Sequence, residues 1–403
     1  MIHQPPAGAR DLLPLEVVQK ASINDSLQEV FGSWGYQRIV TSTIEWLDTL
    51  MAGGAIEHST VIQLQDNTNG QLGLRPELTA SIARAAVTRM SDTSYPQRLC
   101  YRANVFRNPP TGHHGRQLEF YQAGVELLFA GGILADAEIL LLMAECLRKV
   151  QIPQWDIILG EAGLTRSLLS PFPKPLQQEV RHCLSQLDYV KLDNLNYPNA
   201  DLKQRAKLLF NLRGKPQDVF SKVVDLELDD AGKKSLNNLK SLVELVRNSS
   251  SQLLPLTLDL SLIQTFDYYT GIVFQLVGRT DNQLHILGQG GRYDKLLGVY
   301  HPQKKSAPGI GFSLNLEALY SCLLSTNKLP PTPPLIDYLV IAKKPEDHAA
   351  TLQYAQKLRN TQDFVRVSID LGERTPEQIK EYAQQNGVRK LVWIEANQEP
   401  IIE

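Results

Sequence analysis

Across residues 15 to 34 the apolar positions Ile23, Leu27, Val30, Phe31 and Trp34 follow helical spacing, which marks one buried stripe, and Gly35 supplies the stop. Residues 36 to 44 are β-branched and alternating, which predicts a strand leading out of that helix. A short strand at 72 to 74 precedes Pro76-Glu77 and a helical run over 78 to 90. Residues 99 to 106 and 118 to 128 alternate as a pair of antiparallel strands. Between them, residues 107 to 116 are rich in proline, glycine and histidine, a tip longer than the usual roughly two to five residues. Long tips of this kind often carry function. A helix over 136 to 150 and a strand over 155 to 159 complete this stretch.

From about 164 to 252 leucines recur at helical spacing and glycine is scarce, so the segment reads as a helical insertion. Strands resume at 256 to 260, 272 to 276 and 284 to 287, and a helix is expected over 313 to 324. Residues 326 to 335 hold a proline-rich linker, stiff because proline runs favour extended chain. Residues 336 to 403 then alternate strand and helix in a βαβαβ order, predicting a small α/β domain with parallel pairing. Residues 1 to 325 form the main domain.

Composition narrows the possibilities further. The chain has 403 residues, 43% hydrophobic and 21% charged, which rules out global disorder. No apolar run approaches a membrane span, and residues 1 to 10 lack the apolar stretch of a secretory signal. Four cysteines, Cys100, Cys146, Cys183 and Cys322, lie far apart without metal-ligand spacing; they read as reduced thiols of a cytoplasmic protein. Net charge is −2, and residues 336 to 403 carry nine Lys and Arg against eleven Asp and Glu. Phosphate binding depends on clustered positive charge, so neither the whole chain nor its tail is suited to reading tRNA.

Single spacing signals are modest. Gly288, Gly290 and Gly291 lack the dinucleotide-binding spacing, and His113-His114 is an adjacent pair on a turn-rich loop, favouring solvent over metal. No cofactor is expected. Read together, five segments become specific: Leu74-Arg-Pro-Glu-Leu-Thr-Ala80; Phe106-Arg107 with Phe120-Tyr-Gln-Ala-Gly-Val-Glu126; Asp267-Tyr-Tyr-Thr-Gly-Ile-Val-Phe274; Gly290-Gly-Arg-Tyr-Asp294; and Pro308-Gly-Ile-Gly-Phe312. In this order they resemble the histidyl-tRNA synthetase catalytic domain over roughly residues 5 to 325. The resemblance implies an α+β fold of class II synthetase type, an antiparallel sheet flanked by helices, and a tail similar to a truncated anticodon-binding domain. It also implies a histidine pocket. Positions matching Glu77, Thr79 and Gln122 bind the amino end, and those matching Glu126 and Tyr269 bind the imidazole, with Tyr268 beside them. A desolvated histidine needs such partners for its ammonium, carboxylate and ring.

The departures from the synthetase pattern concern ATP. Gln264-Thr-Phe266 replaces Arg-Gly-Leu before the tyrosine pair, and Ala318 stands where motif 3 ends in arginine. Motif 2 reads Phe106-Arg-Asn-Pro109 without its ATP-reading glutamate, leaving Arg107 and Arg116 as vestigial phosphate-binding residues; Ser42 replaces the motif 1 proline. One preorganised donor is worth roughly 3–4 kcal/mol to such a transition state, so losing two arginines removes most adenylating power. This signature is similar to that of the histidyl-tRNA synthetase-like regulatory subunits of ATP phosphoribosyltransferase. That family implies a non-catalytic role, a short-form catalytic subunit as partner, L-histidine as feedback effector, and a homodimer within a hetero-octamer. It also implies a cytoplasmic location, without tRNA or membrane. An active histidyl-tRNA synthetase and a tRNA-sensing pseudo-synthetase stay open as alternatives.

Overall fold

A computed structural model describes residues 3–54, 56–65, 70–91, 95–108, 117–224, 226–250, 252–261, 268–280, 283–333, 335–361, 363–372 and 374–403. Contacts divide the chain into two units, Met1–Leu12 with Gln19–Leu329, and Leu13–Val18 with Pro330–Glu403.

The larger unit is organised by a nine-stranded, mainly antiparallel sheet. Its order is Gln37–Arg38, Gln97–Phe106, Glu119–Leu128, Gly309–Asn315, Leu284–Tyr293, Ile272–Arg279, Trp155–Glu161, Leu256–Asp259 and Arg213–Gly214. Side chains alternate across a strand, so each strand feeds two cores. On one face Ala123, Val125 and Leu127 meet Ile139, Leu140, Met143 and Leu147 of helix Ile133–Val150, along with Ile23, Leu27 and Phe31 of helix Pro14–Ser33. On the other, Leu99, Tyr101 and Val105 meet Leu78, Ile82, Ala83 and Ala86 around helix Thr79–Arg89. Gln122 and Glu126 share the parity of Leu128, which belongs to this second core. Both side chains thus point into this second layer.

Three expectations for the larger unit are corrected. The strand expected over 36 to 44 is two pieces: Gln37–Arg38 pairs in parallel with the large sheet, whereas Ile44–Trp46 joins a separate three-stranded sheet. Between them, the buried Arg75 guanidinium donates to the carbonyls of Thr41 (2.8 Å) and Ser42 (3.0 Å), holding the chain where it leaves one sheet for the other. The helix expected from 313 begins at Leu316, because Ser313, Leu314 and Asn315 continue the strand opposite Gly124, Ala123 and Gln122. The Asn315 side chain then accepts the Glu317 amide and caps the helix. The glycine-rich segment expected to follow a strand lies inside one, Leu284–Tyr293. A Cβ at Gly290 would sit 2.2 Å from the Gly311 carbonyl and 2.7 Å from the Phe274 ring, so the close strand approach requires glycine.

Between Trp155–Glu161 and Leu256–Asp259 the described residues form six helices, from Ala162–Leu169 to Asp230–Ser249, and the two-residue edge strand Arg213–Gly214. All four cysteines are free and buried.

In the second unit, Val367–Ile369, Tyr338–Ala342 and Lys390–Ile394 pair in parallel. Helices His348–Arg359 and Pro376–Gln385 cover opposite faces, one against Val340, Val392 and Ile394, the other against Leu339, Ile341 and Leu391. The βαβαβ order expected here has three strands; Ile401–Ile402 adds a fourth, antiparallel to Lys390–Ile394.

Candidate functional site

A pocket of about 360 Å³, its open mouth included, opens on the face of the large sheet that carries Gln122 and Glu126. Glu77, Thr79, Gln122, Glu126, Tyr268 and Tyr269 all line it, and so does Arg107. The structure brings together six expected ligand-contacting residues and one of two expected vestigial arginines. Arg116, Gln264 and Asp267 lie outside the described residues.

Each position has a local cause. Glu126 stands near the C-terminal end of Glu119–Leu128, opposite Leu99 on one side and Gly311 on the other. A Cβ at Gly311 would lie 2.1 Å from Glu126 Oε2, so the carboxylate occupies the space that glycine leaves. Thr79 Oγ1 donates to Glu126 Oε1 at 2.7 Å, and the Tyr293 hydroxyl donates to Oε2. Glu126 is only 1% exposed, and this burial pushes its pKa up to about 8 although both hydroxyls favour the charged form.

Glu77 sits just before helix Thr79–Arg89. Its two oxygens accept the first helical amides, Thr79 N–H at 2.7 Å and Ala80 N–H at 2.8 Å. These bonds and the nearby Arg107 draw its pKa down, but burial outweighs them and leaves it raised. Arg107 is fixed by Nε donating to the Pro76 carbonyl at 2.7 Å, with its guanidinium 5.4 Å from the Phe120 ring centroid. The ring of Tyr268 packs edge-on against Tyr269 and Tyr293, at centroid distances of 4.8 and 5.8 Å. Burial raises the pKa values of all three phenols, so they remain neutral donors.

Among the described lining residues the ionisable side chains other than phenols are two carboxylates and one guanidinium. With Glu126 able to share a proton, that set complements a small molecule with an ammonium, a carboxylate and one further basic group. No cluster of three or more metal-ligating side chains occurs among the described residues.

Sequence reasoning missed Tyr293 and Tyr101 as pocket residues. Tyr293 lies inside the quoted Gly290–Asp294 segment, but its bond to Glu126 spans 167 positions and no local pattern reports it. Tyr101 could have been found by alternation, since it shares a face with Leu99 and Val105.

The region expected to match motif 3 shows what surrounds Ala318. Ala318 is half-buried on helix Leu316–Leu323 and packs against the main core. Its neighbour Glu317 is paired with the buried Lys20 and with Arg10, the latter at 3.0 Å. The local charges are therefore engaged within the protein.

A family profile described as histidyl-tRNA synthetase matches residues 8–319. The chain is 75% identical, over all of both chains, to an ATP phosphoribosyltransferase regulatory subunit of Crocosphaera subtropica. It is 72% identical to that of Rippkaea orientalis, over all of this chain and 99% of the relative. A solved structure from Bacillus halodurans, described as an ATP phosphoribosyltransferase regulatory subunit/histidyl-tRNA synthetase, superposes with a TM-score of 0.82 at 27% identity, covering 99% of this chain and 100% of that one. A histidyl-tRNA synthetase from a Nostoc species superposes at 0.78 with 21% identity, covering 99% and 96%, a likeness of fold.

Proposed function

The chain belongs to the family of ATP phosphoribosyltransferase regulatory subunits, on a class II histidyl-tRNA synthetase-like fold, and from that premise we propose that it regulates a short-form catalytic subunit in response to L-histidine. The observation that carries this reading is the 75% identity along the whole chain to a regulatory subunit. The catalytic partner carries out the first step of histidine biosynthesis; this chain supplies no adenylating chemistry. Histidine is read in the pocket, with Glu77, Thr79 and Gln122 at its ammonium, and Glu126, Tyr268 and Tyr269 at its imidazole. Arg107 is the cation available there for a carboxylate. A homodimer of this chain within a hetero-octamer in the cytoplasm is the assembly that fits the family. Net charge of −2 argues against a tRNA partner. Among the described residues no helix is long and apolar enough to cross a membrane.

Histidine shifts the complex between states only as far as it binds them differently, typically by about 1–3 kcal/mol. The test is reconstitution of this chain with a short ATP phosphoribosyltransferase catalytic subunit. Light scattering should show a hetero-oligomer, activity should rise over the catalytic subunit alone, and histidine should suppress it. Absence of both a complex and an activity change would overturn the assignment. Inhibition that persists unchanged with Glu126→Ala would keep the assignment but move the feedback site elsewhere.

A further inference from the structure

Behind the pocket tyrosines lies a second, polar cleft of about 1720 Å³, counting its open side. It separates the first and last inserted helices, Ala162–Leu169 and Asp230–Ser249, from the segment around Thr270 and from Arg292. Its walls touch the same short stretches that build the proposed histidine pocket, one residue away in each case: Thr270 follows Tyr269, and Arg292 precedes Tyr293.

One side chain bridges this cleft to the pocket backbone. Arg166, on the first inserted helix, donates from Nη1 to the Tyr269 carbonyl at 3.3 Å and from Nη2 to the Thr270 carbonyl at 3.2 Å. Both neighbours of Arg166 are also tied down. Thr165 Oγ1 donates to the Leu260 carbonyl at 2.9 Å, and Ser167 Oγ donates to Asp229 Oδ1 at 2.6 Å. Asp229 in turn caps the last inserted helix through the Gly232 amide at 2.7 Å. A Cβ on Gly232 would lie 2.1 Å from Ser167 Oγ, so the two helices meet at close range. On the pocket side, the Thr270 amide donates to the Arg292 carbonyl at 2.8 Å, and the Arg292 guanidinium bonds Asp294 and Asp136. A continuous bonded chain therefore runs from the cap of the last inserted helix, through Arg166, to the backbone beside both Tyr269 and Tyr293.

We propose that Arg166 is a positioning residue for the effector pocket, coupling the placement of Tyr269 to that of the inserted helices so that ligand occupancy and insertion position each bias the other. The proposal rests on the assignment of histidine to the pocket. Because coupling of this kind is reciprocal, anything that moves the insertion changes histidine affinity by the factor with which histidine moves the insertion.

The test uses the full chain and L-histidine. By titration calorimetry, Arg166→Ala should weaken histidine binding about 2- to 12-fold, the equivalent of an ordinary hydrogen bond lost, and Arg166→Lys should recover part of it. Lys234→Ala, on the same cleft, should bind as the unaltered chain does. Hydrogen exchange supplies a readout that simple loosening would not move. Histidine should slow amide exchange in Ala162–Leu169 and Asp230–Ser249 of the unaltered chain, but in Arg166→Ala only around the pocket. Unchanged affinity in Arg166→Ala, or protection of the insertion that survives the substitution, would overturn the positioning role while leaving the pocket assignment intact. Failure of the unaltered chain to bind histidine would instead overturn the pocket assignment, and the positioning role with it.

Discussion

Glu126 concentrates the chemistry of the pocket in one carboxyl. Its pKa near 8 means that the empty site holds a proton at neutral pH, whereas free imidazole loses its own near ~6.5. In the proposed histidine complex, the imidazole and Glu126 share one proton between them. From about pH 6.5 to 8 the free partners already hold that one proton, so affinity should be flat. Above pH 8 the complex must take up a proton, and affinity should fall about tenfold per unit. Below pH 6.5 it must release one, and affinity should fall again. Calorimetry across pH 5.5 to 9 checks this profile, and Glu126→Gln should lose the alkaline limb. The sequence made Glu126 legible because its neighbours form a recognisable segment. It could not report the shifted proton, which depends on burial, nor Tyr293, whose hydroxyl reaches it from a distant strand.

Helix Thr79–Arg89 shows one residue serving both an element and a site. Leu78 is the residue before its first turn and offers no capping side chain, so the Glu77 carboxylate takes over that task for two amides. Glu77→Ala should therefore destabilise the empty protein by about 1 kcal/mol, within the roughly 0.5–2 kcal/mol seen for lost caps, and urea unfolding without ligand would measure it. An unchanged midpoint would show that the carboxylate serves the ligand alone. At this scale the sequence announced which helices and strands exist better than where they stop. Leu314, Leu316, Leu319 and Leu323 look like one helical stripe, yet the first belongs to a strand. Phe312 and Leu314 already alternate inward, and a short apolar run fits either period. Only pairing with Ala123 and Gln122 decides it.

On the proposed reading, the whole molecule joins a synthetase-like scaffold to an altered nucleotide region. Ala318 is packed into the core beside a Glu317 engaged by Lys20 and Arg10, and Gln264 carries no charge for a phosphate. The chain should show no histidine-dependent exchange of pyrophosphate into ATP, and Gln264→Arg alone should not create it. Measurable exchange in the unaltered chain would instead make it a synthetase. The order of five motifs made the sheet architecture legible, because each sits at a strand or a strand end facing the same pocket. The contact of the insertion with the pocket backbone was not legible. Arg166 lies among leucine-rich helical text, and its bonds to two carbonyls about a hundred residues away leave no local mark.

The two-residue strand Ile401–Ile402 has a consequence for solubility. It covers the free edge of Lys390–Ile394, and Glu403 exchanges both main-chain bonds with Leu391 at 2.9 Å. Lys-Leu-Val-Trp-Ile is short, apolar and strand-forming, and its bared edge would be a template for pairing between molecules. A chain shortened to end at Pro400 should therefore bind an amyloid dye and lose monodispersity on concentration, while the pocket proposed for histidine, lined wholly by the larger unit, keeps its affinity.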